Sequence, residues 1–561
     1  MMEILSKNKN LYGFTFLVFM LLGLVITILI MASVPPVSRD AMTHHLALPK
    51  LFLEHGGIYV KPTVGFSYYP MNLDILYIIP LYFNNDIVPK YIHFLFALLT
   101  AWFIYKYLRE YAGKIYGLVG VLFFLSLPVI VKLSVTVYVD LGLIFFSWVC
   151  IYYFLKWCAR DYQFKYLIYA AFFCGLALGT KYNGLIQLFI MSALTPLVYS
   201  AGTNSMLPVS NYGQRYRNSF TGLLYGVSFV LIALIIFSPW MIRNYQLTHN
   251  PVYPLYKSLF KSKGSNKHIL KDLSKGTSSR LNTFQKRRYI YNESLLETTL
   301  IPIRIFFQGR DNNPKYFDGK LNPYLLFLTV FAFWKKKKSE KILNKHKFIL
   351  VTFSLLFILI AFFSEDMRIR YIAPVIPPLV VLSVFGLKKM IDEISKQARG
   401  QALFKIIIAL IIFHMFFLNG KYIMELFRYI DPVPFIMKTI DRDAYITDYL
   451  PEYPAIQYAN KNLPEDASVL CLLIGSRTYY LDRNFHLNNS FFHTTASGEI
   501  SEKILLKRLK RYGTTHIIFG DVIYRENQYD IDVCENFFKN NTKLLFEKHG
   551  CQVLEVTKNN F

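Results

Sequence analysis

Residues 11–32 read LYGFTFLVFMLLGLVITILIMA. The run carries no charge. At about 1.5 Å per residue, its roughly 20 apolar residues cover the ~30 Å hydrocarbon core of a bilayer. Lys7 and Lys9 precede it, which is also how a secretory signal begins. A signal's apolar core is only about 7–15 residues long and ends at a small-residue cleavage site. No A-x-A site follows here, so the run reads as a retained first span.

Working outward, further apolar runs lie near 88–108, 115–133, 137–156, 166–180, 184–200, 220–241, 321–334, 347–363, 370–387 and 403–420. Together with 12–32 they predict about eleven transmembrane helices. The composition agrees. The chain of 561 residues is 54% hydrophobic and only 17% charged, and its mean hydropathy is +0.31. Spans exclude charge because a charge in hydrocarbon costs several kcal/mol. A net charge of +26 can mark a nucleic-acid binder, but here the basic residues fall between apolar runs. In that position they meet anionic headgroups and set orientation. Membrane lipids are expected partners, and nucleic acid is not. Cys150, Cys158 and Cys174 sit in or beside apolar runs, as packing thiols do. Cys471, Cys534 and Cys551 lie in the tail and leave room for one disulfide.

The runs 166–180 and 321–334 are short, and lysine and arginine supply an independent check. Lys335, Lys336, Lys337, Lys338, Lys341, Lys345 and Lys347 cluster after Trp334. Short cytoplasmic loops are enriched in such residues. With the N-terminus also inside, an even number of crossings must precede this cluster, which requires 166–200 to be a hairpin of two short spans. The same register puts Lys106, Arg109, Lys114, Lys156, Arg160, Lys165, Arg215, Arg217, Lys388, Lys389, Lys396 and Arg399 inside. Residues 33–87, a long loop over 242–320 and everything after 420 are then outside. The long loop is basic around Lys261–Lys271 and Arg287–Arg288, but long loops escape the charge rule.

Two units are therefore expected: a transmembrane unit over 1–420 and an extracytoplasmic soluble α/β domain over 421–561. In the tail, strand-like runs (Ser468–Ile474, Thr515–Phe519, Lys543–Phe546, Gln552–Val556) alternate with helical patterns such as Ile500–Arg511. Leu463-Pro464-Glu465-Asp466 and Tyr512-Gly513 supply the turns.

Polar residues at the outer ends of the spans are the candidates for chemistry, because there they can face a cavity between helices. Asp40 follows the first span. Its carboxylate could cap the apolar helix that begins near Leu46 or act as a general base on a hydroxyl. Arg39 precedes it. His44 and His45 follow and suggest substrate contacts, since adjacent histidines on a helix point apart and rarely share an ion. Asp140 opens an apolar span and should have a cationic or hydrogen-bonding partner. Lys181 sits at the turn of the 166–200 hairpin, Arg243 follows Pro239-Trp240, and Arg370 precedes Tyr371. Several cations around two carboxylates suit an anionic lipid phosphate.

Taken in order, these segments resemble the GT-C glycosyltransferases, the group that contains protein O-mannosyltransferases and aminoarabinose transferases of lipid A. Arg39-Asp40 through His45-Leu46-Ala47-Leu48-Pro49-Lys50-Leu51-Phe52-Leu53-Glu54-His55-Gly56 resembles their first extracytoplasmic loop. Tyr138-Val139-Asp140 resembles their second acidic motif, and Gly175 through Gly184 looks like their Gly-rich hairpin. Pro239-Trp240-Met241-Ile242-Arg243, Asn250-Pro251-Val252-Tyr253-Pro254, Phe317-Asp318-Gly319 and Arg370-Tyr371-Ile372-Ala373-Pro374 are similar to later recurring stretches. The resemblance covers roughly 10–390.

The resemblance implies an α-helical, GT-C-like polytopic fold and an inverting glycosyl transfer, hexosyl or pentosyl, on the outer side of the membrane. The donor would be a polyprenyl-phosphate-linked sugar and the acceptor a glycan, lipid or protein. Asp40 would be the general base. Arg39, His44, His45, Asp140, Lys181, Arg243, Arg370 and Tyr371 would contact substrate. Several relatives have paired acids where this chain has Arg39-Asp40-Ala41. No cofactor is expected, because a divalent ion would want a second carboxylate. The rival class is a transporter or flippase of lipid-linked sugars, which would show repeated halves; no repeat is present. A glycolipid-binding relative without activity is a third reading.

Overall fold

A computed structural model describes residues 2–205, 207–208, 210–257, 259–260, 283–334, 340–364, 367–394, 401–488, 491–492, 502–520 and 531–557. Lys261–Lys271, Lys335–Lys338, Lys396 and Arg399 lie outside the described residues, as does the start of the helix expected over Ile500–Arg511.

The first helix, α1 (Met2–Ala32), carries the opening apolar run. A π-helical turn, Ala41–His45, leads into α2 (Ala47–Glu54). Then come α3 (Asn72–Tyr82), α4 (Val88–Tyr111), α5 (Lys114–Ser126), α6 (Pro128–Ser134), α7 (Asp140–Ala159), α8 (Phe164–Thr180), α9 (Gly184–Asn204) and α10 (Tyr212–Thr248). Among the described residues, eight helices are long and apolar enough to cross a membrane, or nine if the pair α5 and α6 is one span. That pair is bent by 65°. The break is at Leu127-Pro128, where proline disfavours a helical residue before it and removes a backbone donor.

All eleven expected runs are helical, but two form shorter helices. The run near 166–180 is α8, with 17 residues. The run near 321–334 contains a helix only over Tyr324–Phe331, 8 residues, which rise about 12 Å. Burial sorts the spans into lipid-facing and central. The span Tyr12–Ala32 is 11% buried and Ile369–Glu393 is 89% buried. Helices α8 and α10 cross closely at Gly175, where a Cβ would stand 2.6 Å from the Ala233 carbonyl oxygen. The absent side chain permits the contact.

The last apolar helix runs from Gln401 to Ile430, so the expected unit boundary at 421 falls inside it, and the next element begins at Pro432. The tail is a small α/β unit. Strands β1 (Ser468–Leu472), β2 (Asn484–Leu487), β3 (His516–Gly520), β4 (Thr542–Lys548) and β5 (Cys551–Val556) form one sheet in the order β2-β1-β3-β5-β4. β2, β1 and β3 are parallel, while β5 runs antiparallel to β3 and to β4. β2 and the helix Ile531–Asn541 were not anticipated. Asn484-Phe485-His486-Leu487 is too short and too polar to declare itself as a strand. Cys471, on β1, is a free, buried thiol. The Cys534 side chain lies outside the described residues.

Candidate active site at one end of the bundle

Helix ends and turns supply the site. Asp40 precedes the π turn in helical conformation and its side chain makes no capping bond. Its carboxylate Oδ2 instead accepts from Arg370 Nη1. Burial alone would raise the Asp40 pKa. The Arg370 guanidinium outweighs that, with smaller help from His44 and His45, and holds the carboxyl well below the usual carboxylate range.

Asp140 is the first residue of α7, where a carboxylate also complements the helix dipole. It is fully buried, and Lys181 Nζ lies 2.7 Å from its Oδ1. Lys181 is in position because it leaves α8 in an extended conformation, its N–H still bonded to the Ala177 carbonyl. The expected cationic partner of Asp140 is thus present. Tyr371 lies between the two pairs. Its carbonyl accepts from Asn183 Nδ2 at 3.3 Å, and the Lys181 and Arg370 cations are each 5.5 Å from its ring.

The histidines depart from expectation. Their ring centroids are 4.0 Å apart and do not diverge, because the turn is π-helical, with the Leu46 N–H bonded to the Ala41 carbonyl five residues back. His44 stacks on Phe66 with centroids 4.2 Å apart. His45 Nδ1 lies 2.7 Å from Asp74 Oδ1, and both residues are buried. Burial holds His45 neutral, its pKa lowered to about 3, while Asp40, Lys181, Asp140 and Arg370 all act on it. The same burial pushes Asp74 up to about 7. Sequence reading missed Asp74. Its signal was a lone carboxylate in the apolar stretch Leu73-Asp74-Ile75-Leu76-Tyr77, which needs a partner.

Arg243 belongs to a neighbouring layer. It donates from Nη2 to the Ser67 carbonyl at 2.6 Å and its guanidinium carbon lies 5.4 Å from the Trp240 ring. Trp240 donates to Asn72 Oδ1 at 2.7 Å. Asn72 packs on Gly179, where any Cβ would overlap its amide. Arg39 is exposed and has no hydrogen bond or ion pair among the described residues; the structure does not bring it into the cluster.

Among the described residues, no group of three or more His, Cys, Asp or Glu is arranged for a metal ion. Asp40 and Asp140 each face a cation already.

Residues 78–242 match the family of dolichyl-phosphate-mannose-protein mannosyltransferases. No curated protein sequence matches the chain. The crystal structure of ArnT from Cupriavidus metallidurans bound to undecaprenyl phosphate superposes with a TM-score of 0.57 at 12% identity, over 97% of this chain and 99% of that one. The fold is GT-C. The apo oligosaccharyltransferase from Archaeoglobus fulgidus gives a TM-score of 0.52 at 13% identity, over 89% of this chain and 69% of that one. The expected GT-C architecture, helical bundle and small C-terminal sheet unit are thus observed. In this GT-C bundle α3 to α10 all fall within or overlap the family-matched stretch, and Asp140 and Lys181 lie inside it.

Proposed function

We propose that the protein is an inverting membrane glycosyltransferase that moves a sugar from a polyprenyl-phosphate donor to an acceptor hydroxyl. The observation that carries this reading is the pairing of two acids with two cations, Asp40 with Arg370 and Asp140 with Lys181, around a neutral His45. Two buried polar atoms in this cluster, Asp140 Oδ2 and Arg370 Nε, have no hydrogen-bond partner among the described residues. Such atoms are costly unless a substrate or water meets them. The family match and the likeness to ArnT bound to undecaprenyl phosphate support a lipid-linked donor. The likeness to AglB from Archaeoglobus fulgidus in complex with a dolichol-phosphate and an inhibitory peptide supports a lipid donor as well.

The chemistry is a single displacement. The acceptor oxygen attacks the anomeric carbon, its proton passes to the Asp40 carboxylate, and the bond from that carbon to the phosphate oxygen breaks with inversion. The lipid phosphate leaves with the bonding electrons. Arg370 and Lys181 neutralise its growing charge in a water-poor site. The resting ion pair poses a condition on this scheme: a carboxylate gripped by a guanidinium is a weak base. A donor phosphate competing for Arg370 would loosen that grip and raise the proton affinity of Asp40 as the donor arrives.

The N-terminus is placed in the cytoplasm and the sheet unit, with the site, on the opposite side. Nine candidate spans among the described residues, or eleven with both short helices, make an odd number of crossings, which supports this placement. Asp74, His44, Tyr371 and Arg243 complete the substrate surroundings. The test uses purified protein in detergent with a panel of undecaprenyl-phosphate sugars labelled in the sugar. Native protein is expected to move label off the lipid, and Asp40→Asn to lose at least 100-fold. Transfer at the native rate by Asp40→Asn would remove Asp40 as the base. Lipid scrambling in vesicles without transfer would favour a transporter.

A further inference from the structure

The π turn that carries Asp40, His44 and His45 is gripped from outside the membrane unit. The segment Thr478–Asp482, between β1 and β2 of the soluble unit, contacts it at three places. The Met42 carbonyl, inside the turn, accepts the N–H groups of Thr478 at 3.2 Å and Tyr479 at 3.1 Å. Before the turn, the Pro36 carbonyl accepts from Tyr480 Oη at 2.8 Å. After the turn, Lys50 Nζ donates to the Tyr479 carbonyl at 3.0 Å, the Leu481 carbonyl at 3.1 Å and Asp482 Oδ1 at 2.6 Å.

An ammonium has three N–H donors, and here each finds an acceptor on one segment. A carbonyl has two lone pairs, and Met42 has two donors from the same segment. The segment is held in turn from behind. Asn460 Nδ2 donates to the Tyr480 carbonyl at 2.8 Å, and the Asp482 N–H donates to Asn460 Oδ1 at 2.9 Å. Arg477, just before the segment, donates from Nη2 to the buried Glu452 at 3.0 Å. The chain from Pro36 to Lys50 is thereby braced against the α/β unit on both sides of Asp40.

A π turn is a rare form of helix, found mostly as a single turn and often at functional sites, and it persists where its surroundings support it. A carboxylate that must meet an acceptor hydroxyl also loses rate steeply when displaced by about an ångström. We infer that the soluble unit, through Thr478–Asp482, positions the reactive turn, with Lys50 and Tyr480 as positioning residues that touch no substrate. The inference rests on the reading of Asp40 as base and deepens it by giving the C-terminal unit a part in catalysis.

The experiment compares native full-length protein with Lys50→Met, Tyr480→Phe, the double variant and Lys50→Arg, all in nanodiscs. Amide hydrogen exchange of peptides covering 40–50 reads the brace without any need for activity. The double variant is expected to exchange there at least tenfold faster, with peptides from α4 and from β3 and β5 unchanged as evidence of folding. With the best donor of the labelled panel, kcat should fall at least tenfold while KM for that donor stays within threefold. Lys50→Arg should recover most of both losses. Unchanged exchange over 40–50 in the double variant would overturn the inference, and so would faster exchange with native kcat. If native protein transfers no sugar from the panel, the functional reading fails, and the exchange comparison alone then upholds or overturns the brace.

Discussion

Arg370 Nη1 is hydrogen-bonded to Asp40 Oδ2, joining residues 330 apart in sequence. One lies at the start of the most buried span and the other at the turn that follows the first helix. The contact closes the site end of the bundle and sets the charge state of the proposed base. Because the folded pKa of Asp40 is depressed, the pair stabilises the fold fully above the ordinary carboxylate pKa of about 3.9. That contribution is lost only as pH falls through the lower folded value. In Arg370→Gln, burial is left to govern and the Asp40 pKa rises. The acid limb of the rate–pH profile should therefore move up in pH relative to native, and stability at neutral pH should drop by about 3 kcal/mol. Rate profiles over pH 4–9 and melting curves of both proteins check the two expectations.

Lys181 and Asp140 permit a cleaner stability test, since Asp140 is fully buried. Lys181→Met strands its carboxylate without a cation and should cost about 3–5 kcal/mol. Asp140→Asn in the same background removes the stranded charge and should recover much of the loss. A thermal double-mutant cycle measures the coupling, and additive losses would show that the pair is not coupled.

Asp74 should behave with the opposite sign to Asp40. Its folded pKa is raised to about 7 by burial, so between the unfolded value near 3.9 and about 7 the folded state binds more protons. Stability contributed at this site therefore falls as pH rises through that window. Asp74→Asn cannot ionise and still offers His45 a partner. The difference in Tm, variant minus native, should increase from pH 4 to pH 7 and then level off. A difference flat across that range would show that Asp74 does not titrate there.

Gly179→Ala should disturb the site without touching a charge. The new methyl group displaces Asn72, which accepts from Trp240 Nε1. Overpacking of this kind costs about 1–3 kcal/mol. The indole loses its buried partner, so the tryptophan emission spectrum should shift along with the lowered Tm. Adding Asn72→Ala clears the overlap and should restore part of the stability but not the native emission.

The bundle itself is legible in the sequence. Long uncharged runs such as 11–32 can only be spans, because hydrocarbon excludes charge and leaves the backbone no partner but itself. Strands β1, β3, β4 and β5 were visible as apolar runs between turn signals. The limits of legibility were equally physical. A run of apolar letters does not reveal that the helix over Tyr324–Phe331 is only 8 residues long, nor that Pro128 bends its span by 65°. Helix ends and bends depend on neighbours as well as on composition.

The candidate site divides in the same way. Sequence alone determined which ionisable residues stand at the ends of apolar runs: Asp40, Asp140, Lys181, Arg243 and Arg370. Each is an expense that the membrane tolerates only with a partner. Tertiary structure alone decided the partners. Arg370 was drawn to Asp40 and Lys181 to Asp140, while Arg243 went to a backbone carbonyl and Arg39 to solvent. Only the fold could show that a π turn faces His44 toward His45, that Asp74 backs His45, and that Thr478–Asp482 grips Met42. Apart from the two adjacent histidines, such pairings join residues from tens to hundreds of positions apart, and no local periodicity records them. Solvation chemistry dictates that a buried charge needs a partner, and packing alone dictates which one it finds.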